Sequence, residues 1–346
     1  MSELTLGAVG KEQSIAVDIN KRGQMAGIII EEDTDRQRAV LYDGRPIELG
    51  TLGGSEGFTK DINNDGDVTG TAQNASGYWR AFVVRHGQRM QDLGTLGGNN
   101  SYGAALNDRG QLAGFADTSD GYYRAFLSDG EHAPVDLGTL GGKISYAAGI
   151  NNHGDVVGTA ALPDGYRRAF LYKAGGSMQD IGTLGGRSSS ASAINDQGVV
   201  VGASETAGRR WHAFVWEQGK MTDLGALIGY GDSFATAVNQ AGHVVGSIRV
   251  GDERRSFVYR DGKMTVHPGG YGLYLVNAIN NQELVIGAKY AGKKFSASTM
   301  ISSQPAVVTH GGQDMLLAII VVLSTATAAM LLRRRYRGLR LRSFAL

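Results

Sequence analysis

Residues 145–186 read SYAAGINNHGDVVGTAALPDGYRRAFLYKAGGSMQDIGTLGG. Ser145 to Asn151 alternates small and apolar residues, the pattern of a strand. Asn152, His153 and Gly154 are turn formers, and Asp155 to Thr159 reads as a second strand. Pro163, Asp164 and Gly165 make the next turn, and Arg168 to Tyr172 a third strand followed by Gly175 and Gly176. Met178 to Leu184 reads as a fourth strand, closed by Gly185 and Gly186. Four short antiparallel strands in about 44 residues are the content of one β-propeller blade.

The unit recurs along the chain. Asn20, Asn63, Asn107, Asn151, Asn195, Asn239 and Asn280 each follow Ile, Leu or Val, at spacings of 43, 44, 44, 44, 44 and 41 residues. A Gly stands three residues after each of the first six, and Glu283 takes that place in the seventh. A second Gly stands seven residues after every one of them, from Gly27 to Gly287. A fixed period of this length marks a repeat architecture. Residues 1–304 carry no long apolar stripe at helical spacing, which argues against a helical solenoid. The reading is an all-β fold: a seven-bladed β-propeller of four-stranded antiparallel blades over residues 1–304, with one C-terminal transmembrane helix.

The chain ends support a closed ring. The seventh unit has candidate strands near 274–280, 284–288 and 293–300 and no segment like DLGTL after them. Residues 4–10, LTLGAVG, resemble residues 223–229, DLGALIG, a fourth strand from a middle unit. The N-terminal strand is therefore expected to complete the last blade, hiding edges that otherwise invite aggregation. The strand before each Asn would be innermost, where small side chains suit seven strands crowding one axis.

The combination of IN-x-x-G-x-V-V-G, an Ala-Phe pair and DLGTLGG resembles the HAF-repeat family of bacterial extracellular repeat proteins. The tripeptide is intact at His212, Ala213 and Phe214, and reads Arg-Ala-Phe at 80–82, 124–126 and 168–170. The likeness covers residues 4–300. It implies a surface or secreted repeat protein with no defined activity.

Composition bounds the rest. Gly is abundant at 52 of 346 residues, without the three-residue period of collagen. There is no cysteine, hence no disulfide, thiolate nucleophile or cysteine metal site. Net charge is +1, but six of the 34 basic residues are arginines after residue 332. The remainder holds 28 basic against 33 acidic residues, a net of −5. That is poor ground for nucleic acid, which requires a basic footprint.

Residues 315–332, MLLAIIVVLSTATAAMLL, carry no charge. At about 1.5 Å per residue they reach roughly 27 Å, close to the ~30 Å hydrocarbon core of a bilayer. Residues 305–314 form a linker, and 333–346 a basic tail that the positive-inside rule places in the cytoplasm. The expectation is a single-pass membrane protein with its propeller outside the cytoplasm. Residues 1–20 hold Glu3, Lys11, Glu12 and Asp18 and no signal-peptide apolar run, and an inward-facing, tail-inserted protein is the alternative.

Candidate sites are few. Asp61, Asn63 and Asp65, followed by Gly66, match the first half of a calcium loop, but the twelfth position is Ala72 rather than Glu. The competing reading is a hairpin turn whose side chains bond their own backbone. A basic residue precedes the Phe position in six units (Arg38, Arg80, Arg124, Arg168, His212, Arg255), and Glu48, Asp92, Asp136, Asp180 and Asp223 recur on the next strand. Each basic residue is expected to pair with an acid of its own or the adjoining blade. Tyr78, Trp79, Tyr122, Tyr123, Tyr166 and Trp211 gather at one hairpin of successive units. They read either as packing between blades or as a shallow platform for a glycan or protein partner. The seven histidines occupy differing repeat positions, and neither HExxH nor GxSxG is present. The sequence calls for no cofactor. It points to a membrane-anchored, non-enzymatic binding or structural module of the cell envelope. The alternative is a carbohydrate hydrolase or lyase working in the propeller channel, a reading by fold analogy.

Overall fold

The computed structural model describes residues 12–251, 253–267, 275–291 and 294–301. These residues form seven antiparallel sheets in chain order, spanning residues 13–48, 53–92, 97–136, 145–180, 185–223, 232–267 and 275–301. In each sheet the strands neighbour one another in sequence order, the meander of a propeller blade. Six sheets have four strands, and the seventh shows three among the described residues. The molecule is an all-β, seven-bladed β-propeller. Residues 4–10, expected to supply the missing strand, lie outside the described residues, as do 305–314, 315–332 and 333–346.

Blade four shows how the repeat builds itself. Its strands are Ser145–Ile150, Val156–Ala161, Arg167–Tyr172 and Met178–Asp180. The turn after the first strand begins at Asn151, whose Oδ1 accepts the backbone N–H groups of His153 and Asp155 at 3.0 and 2.9 Å. Gly154 lies at φ 84°, where a side chain is strained. Glu283 in the seventh blade adopts the same hand at φ 64°.

A one-residue register shift interrupts every innermost strand about three residues before its Asn, as between Ala147 and Gly149. Such a bulge increases local twist. Opposite it stands the repeat's second Gly. A Cβ on Gly158 would lie 2.0 Å from the Tyr146 carbonyl, and Gly70, Gly114, Gly202, Gly246 and Gly287 face the same obstruction. The invariant spacing of this Gly is thus a steric requirement of the bulged inner strand.

The core lies between blades. Phe82, Phe126, Phe170, Phe214 and Phe257 are fully buried. Phe170 packs with Ala113, Ala125 and Leu137 of blade three, and Phe126 with Ala81, Val83 and Leu93 of blade two. Each ring contributes on the order of 2–3 kcal/mol by burial. The same strand binds the next blade through its main chain. The N–H groups of Ala81, Ala125, Ala169 and Ala213 donate to Ser101, Ser145, Ser189 and Ser233 of the following blade, all at 2.9 Å.

The ring closes between blades seven and one. Ala297 N–H donates to Ser14 Oγ at 3.1 Å, the same staple as elsewhere. Asn277 Nδ2 donates to the Ala16 carbonyl at 2.7 Å. Ala278, Ile286 and Ala297 share one apolar cluster with Ala16, Ile19 and Met25.

Two expectations need correction. The outermost strands are only two to five residues long, and Gly-Thr-Leu is not part of them. In blade four Asp180 accepts Gly182 N–H at 2.8 Å, and Thr183 Oγ1 donates to the Gly186 carbonyl at 2.9 Å. Side-chain bonds of this kind compete with strand pairing and turn the chain toward the next blade. In blades two, three and five the Gly pair then opens the innermost strand, as in Gly185–Ile194. Second, the innermost strands are not uniformly small: Phe58, Tyr102, Tyr146 and Phe234 stand five residues before their Asn.

The basic residues before Phe pair with the following strand's acid in four blades. Arg38 bonds Glu48, Arg80 Nε lies 3.4 Å from Asp92, Arg168 Nε 3.5 Å from Asp180, and His212 Nδ1 2.9 Å from Asp223. Arg124 instead donates to the Lys143 carbonyl at 2.9 Å, and Arg255 bonds Glu253 on its own strand. Partly exposed pairs of this type contribute about 0–1 kcal/mol each.

The Asn151 side chain makes four hydrogen bonds while the residue is 3 % exposed, so its removal leaves buried groups unpaired. Asn151→Ala is expected to lower the unfolding free energy by about 2–4 kcal/mol in urea denaturation. Asn151→Asp, which keeps the acceptor but loses the donor, should cost nearly as much. A loss within about 0.5 kcal/mol for both, the range of an ordinary surface substitution, would contradict this role.

Candidate functional site

The turns carrying the seven Asn residues gather at one end of the propeller axis. Each Asn donates through Nδ2 to the main-chain carbonyl of the next: Asn20 to Asn63, Asn63 to Asn107, Asn107 to Asn151, Asn151 to Asn195, Asn195 to Asn239 and Asn239 to Asn280, at 2.9 to 3.3 Å. Asn280 donates to the Asn20 carbonyl at 3.4 Å and completes the circle. The following residues make a second run of bonds from blade to blade. Asn64 N–H donates to Asp108 Oδ1, Asp108 N–H to Asn152 Oδ1 and Asn152 N–H to Asp196 Oδ1, all at 2.8 Å. Gln240 N–H donates to Asn281 Oδ1 at 2.9 Å. A cavity of about 170 Å³ at this mouth is lined by Asn64, Asp108, Asn152, Asp196, Gln240 and Asn281 among others.

This mouth is polar but self-satisfied. Asp108 Oδ2 accepts the amides of Asn64 at 2.8 Å and Asn152 at 3.3 Å. Asp196 Oδ2 accepts those of Asn152 at 3.1 Å and Gln240 at 3.0 Å. Carboxylates so engaged hold the ring together. Among the described residues no group of three His, Asp or Glu side chains is arranged to hold a metal ion. The half-match to a calcium loop takes the hairpin form: Asn63 Oδ1 accepts the N–H groups of Asp65 and Asp67, and Asp61 Oδ2 accepts Leu106 N–H of the next blade at 2.7 Å.

The repeat breaks on the innermost strands of blades one and two, where Asp18, Lys60 and Asp61 replace the small residues found elsewhere. Asp18 Oδ2 accepts Ile62 N–H at 3.0 Å. Burial, reinforced by the neighbouring Asp61 carboxyl, pushes the Asp18 carboxyl well above its ordinary range. Burial also brings the Lys60 ammonium down to about 8, against the attraction of both carboxylates. These groups tie blade one to blade two and blade two to blade three.

The opposite end is different. The hairpins between second and third strands and the blade-to-blade loops lie there, and the rings of the innermost strands approach it. Strand alternation divides the aromatic residues singled out from the sequence. Trp79, Tyr123 and Trp211 open their third strands and join the rings near the axis. Trp79 lies 5.6 Å from Phe58, and Tyr123 lies 5.7 Å from Phe115 and 6.0 Å from both Tyr102 and Tyr146. Trp211 stacks on Phe234 of blade six at 6.4 Å. Tyr102 and Phe115 stack at 4.8 Å, and Phe115 meets Tyr146 edge-on at 5.0 Å. Burial raises the Tyr102 phenol pKa, and the adjoining Tyr123 adds to it.

Tyr78, Tyr122 and Tyr166 fall on the other face and do not join this arc. Tyr122 OH accepts from Lys143 Nζ at 2.8 Å, and Tyr166 OH accepts from Arg187, bonds that reach into the next blade. Their cations also lie over the rings, at 4.8 and 5.1 Å. Tyr78 is 42 % exposed. Sequence reading missed Phe58, Tyr102, Phe115, Tyr146 and Phe234. For all but Phe115 the signal, a ring five residues before the Asn in four of seven units, was present but looked like ordinary strand composition; Phe115 lies on a second strand and does not recur.

Tyr102 and Phe115 are buried, whereas Trp79, Tyr123, Tyr146, Trp211 and Phe234 keep part of their surface in solvent. The arc is thus inter-blade packing at its base and an aromatic surface at its rim.

No family model matches the sequence, and no curated protein matches it. Solved structures match the fold. A Mycobacterium tuberculosis puromycin-hydrolyzing peptidase has a TM-score of 0.59 at 12% identity, over 90% of this chain and 54% of that one. The β-propeller domain of Cps50 from Myceliophteria thermophila has 0.55 at 12%, over 86% and 99%. The BP39L lectin from Burkholderia pseudomallei has 0.51 at 11%, over 84% and 96%. The chain spans about half the length of the peptidase it matches. These likenesses place it among the β-propellers.

Asp18 supplies a test of the inner wall. A carboxyl whose folded-state pKa is raised contributes its stability fully below the unfolded value near 3.8 and loses it as pH rises through the folded value. Asp18→Asn keeps a neutral group at every pH. The variant is expected to match the parent near pH 4 and to exceed it in urea midpoint at pH 8. Equal midpoints at both pH values would contradict the assignment.

Proposed function

We propose that this propeller is a non-enzymatic binding module of the cell envelope, whose recognition surface is the aromatic arc around Trp79, Tyr123, Tyr146 and Trp211. One observation carries the reading: half-exposed rings from four successive blades converge at one end of the axis, while the other end is spent on its own hydrogen bonds. Aromatic side chains give large contact area at low entropic cost and dominate binding hot spots. One fold neighbour is a lectin, in keeping with a saccharide or protein partner for such a surface.

The likeness to HAF-repeat proteins supports a surface location. Residues 315–332 would anchor the propeller in a membrane with the 333–346 arginines in the cytoplasm. Among the described residues no helix is long and apolar enough to cross a membrane, and the anchor rests on the sequence of the tail.

Titration of the full-length chain with a panel of purified envelope polysaccharides and proteins, followed by tryptophan emission, is expected to yield a ligand. Trp211→Ala should weaken its binding about tenfold or more, while Val135→Ser, on an exposed outer strand, leaves it unchanged. Ligands that bind Trp211→Ala and the parent alike would overturn the assignment of the arc. Protease treatment of intact cells is expected to degrade the repeats, and their protection would place the propeller in the cytoplasm.

A further inference from the structure

The arc is interrupted at one point, between blades four and five. Five residues before the Asn, the blades carry Ile15, Phe58, Tyr102, Tyr146, Ser190, Phe234 and Leu275. Only Ser190 lacks a bulky side chain. Three residues before the Phe position of the third strand, blades two, three and five carry Trp79, Tyr123 and Trp211, blade one carries Gln37, and blades four and six carry Arg167 and Arg254; only in blade four does the Arg adjoin a blade whose innermost strand also lacks the bulky side chain. The two departures are adjacent. Strand pairing puts Tyr146 beside Thr159 and Arg167 beside Ala161, all on one face of blade four. That face meets blade five, where Thr159 Oγ1 and Ser190 Oγ share a hydrogen bond at 2.6 Å.

The result is a notch in an otherwise aromatic rim. Tyr146 stands on one side and Trp211, backed by Phe234, on the other. Two hydroxyls form its base, with Ser190 8 % exposed. The Arg167 guanidinium lies over the Tyr146 ring at 5.7 Å. It has no ion-pair partner among the described residues, unlike its neighbour Arg168 on the same strand and Arg80 in blade two. Glu205, the acid of blade five's second strand, accepts the Arg187 backbone N–H at 2.8 Å.

We propose that this notch binds a uronic-acid residue of an acidic polysaccharide, with its carboxylate on Arg167 and its apolar ring face against Tyr146 or Trp211. The inference rests on the reading of the arc as a binding surface. A cation without an acid partner in a half-desolvated aromatic setting favours an anion, and the planar guanidinium fork suits a carboxylate. The aromatic walls match the C–H face of a pyranose, and the Thr159 and Ser190 hydroxyls can bond its hydroxyl groups. An extended acidic peptide would take much of its affinity from main-chain pairing with a sheet edge, and the notch presents only side chains.

The test uses the full-length chain and oligomers of galacturonate, alginate and hyaluronan, each beside its carboxyl-reduced neutral counterpart. Tryptophan emission should report binding of at least one acidic oligomer. Its neutral counterpart should bind about tenfold or more weakly, and binding should weaken with added salt. Arg167→Gln should abolish the acid preference while circular dichroism stays that of the parent. Arg167→Lys, which keeps the charge without the fork, should retain part of it. Equal binding of acidic and neutral oligomers would overturn the uronate assignment and leave the binding surface standing. An acidic preference unchanged in Arg167→Gln would do the same. Binding of no oligomer, or stronger binding of a glutamate-rich peptide, would also overturn it. The arc itself is judged separately, by Trp211→Ala against the wider panel.

Discussion

Seven asparagine side chains, each bonded to the main chain of the next, set the terms for the rest of this molecule. One Asn does two jobs at once. Its oxygen folds the turn of its own blade, and its amide group reaches the neighbouring blade. Aspartate lacks the donor, and serine has only one rotatable hydroxyl to serve both purposes. Because every donor points the same way around the axis, the last bond returns to the first residue. The chain therefore closes through many small equivalent contacts, each buried and each expensive to leave unmade.

The same economy governs the space between blades. A bulged inner strand demands glycine opposite it, and that glycine leaves room for the phenylalanine ring of the third strand, whose edge lies close to it in blades three to six. Bulge, glycine and phenylalanine are thus one packing solution repeated, and a change in any one is felt by the other two. Interior packing at crystal-like density permits little else.

Positions where the repeat departs from itself are then the informative ones. Asp18, Lys60 and Asp61 depart from it on the inner wall and are absorbed by bonds between blades. His267 departs from it by standing where blades two to five bury a leucine or isoleucine, and burial depresses its pKa. Ser190 and Arg167 depart from it together, at one rim, with a hydroxyl pair beside them and a cation that has no ion-pair partner among the described residues. A scaffold built from equal parts makes such a coincidence legible, since uniform repeats offer no structural reason for it.

Local chemistry determined the repeat, and the sequence alone disclosed it. Asn turns, positive-φ glycines and alternating strands depend on residues within a few positions of one another, so period, blade number and the outer position of the fourth strand could all be read from the chain, whereas the turn that takes Gly-Thr-Leu out of that strand could not. Pairing of Arg168 with Asp180 was also legible, since both lie in one hairpin. Only the tertiary structure decided which side chains share a face across blades. It separated Trp79, Tyr123 and Trp211 from Tyr78, Tyr122 and Tyr166, because neighbouring residues on a strand point in opposite directions. It brought in Tyr146 and Phe234 from the innermost strands, and it showed that the Asn side chain spans a gap of 44 residues. Contacts between residues a full repeat apart depend on the curvature of the whole ring, which no local stretch encodes.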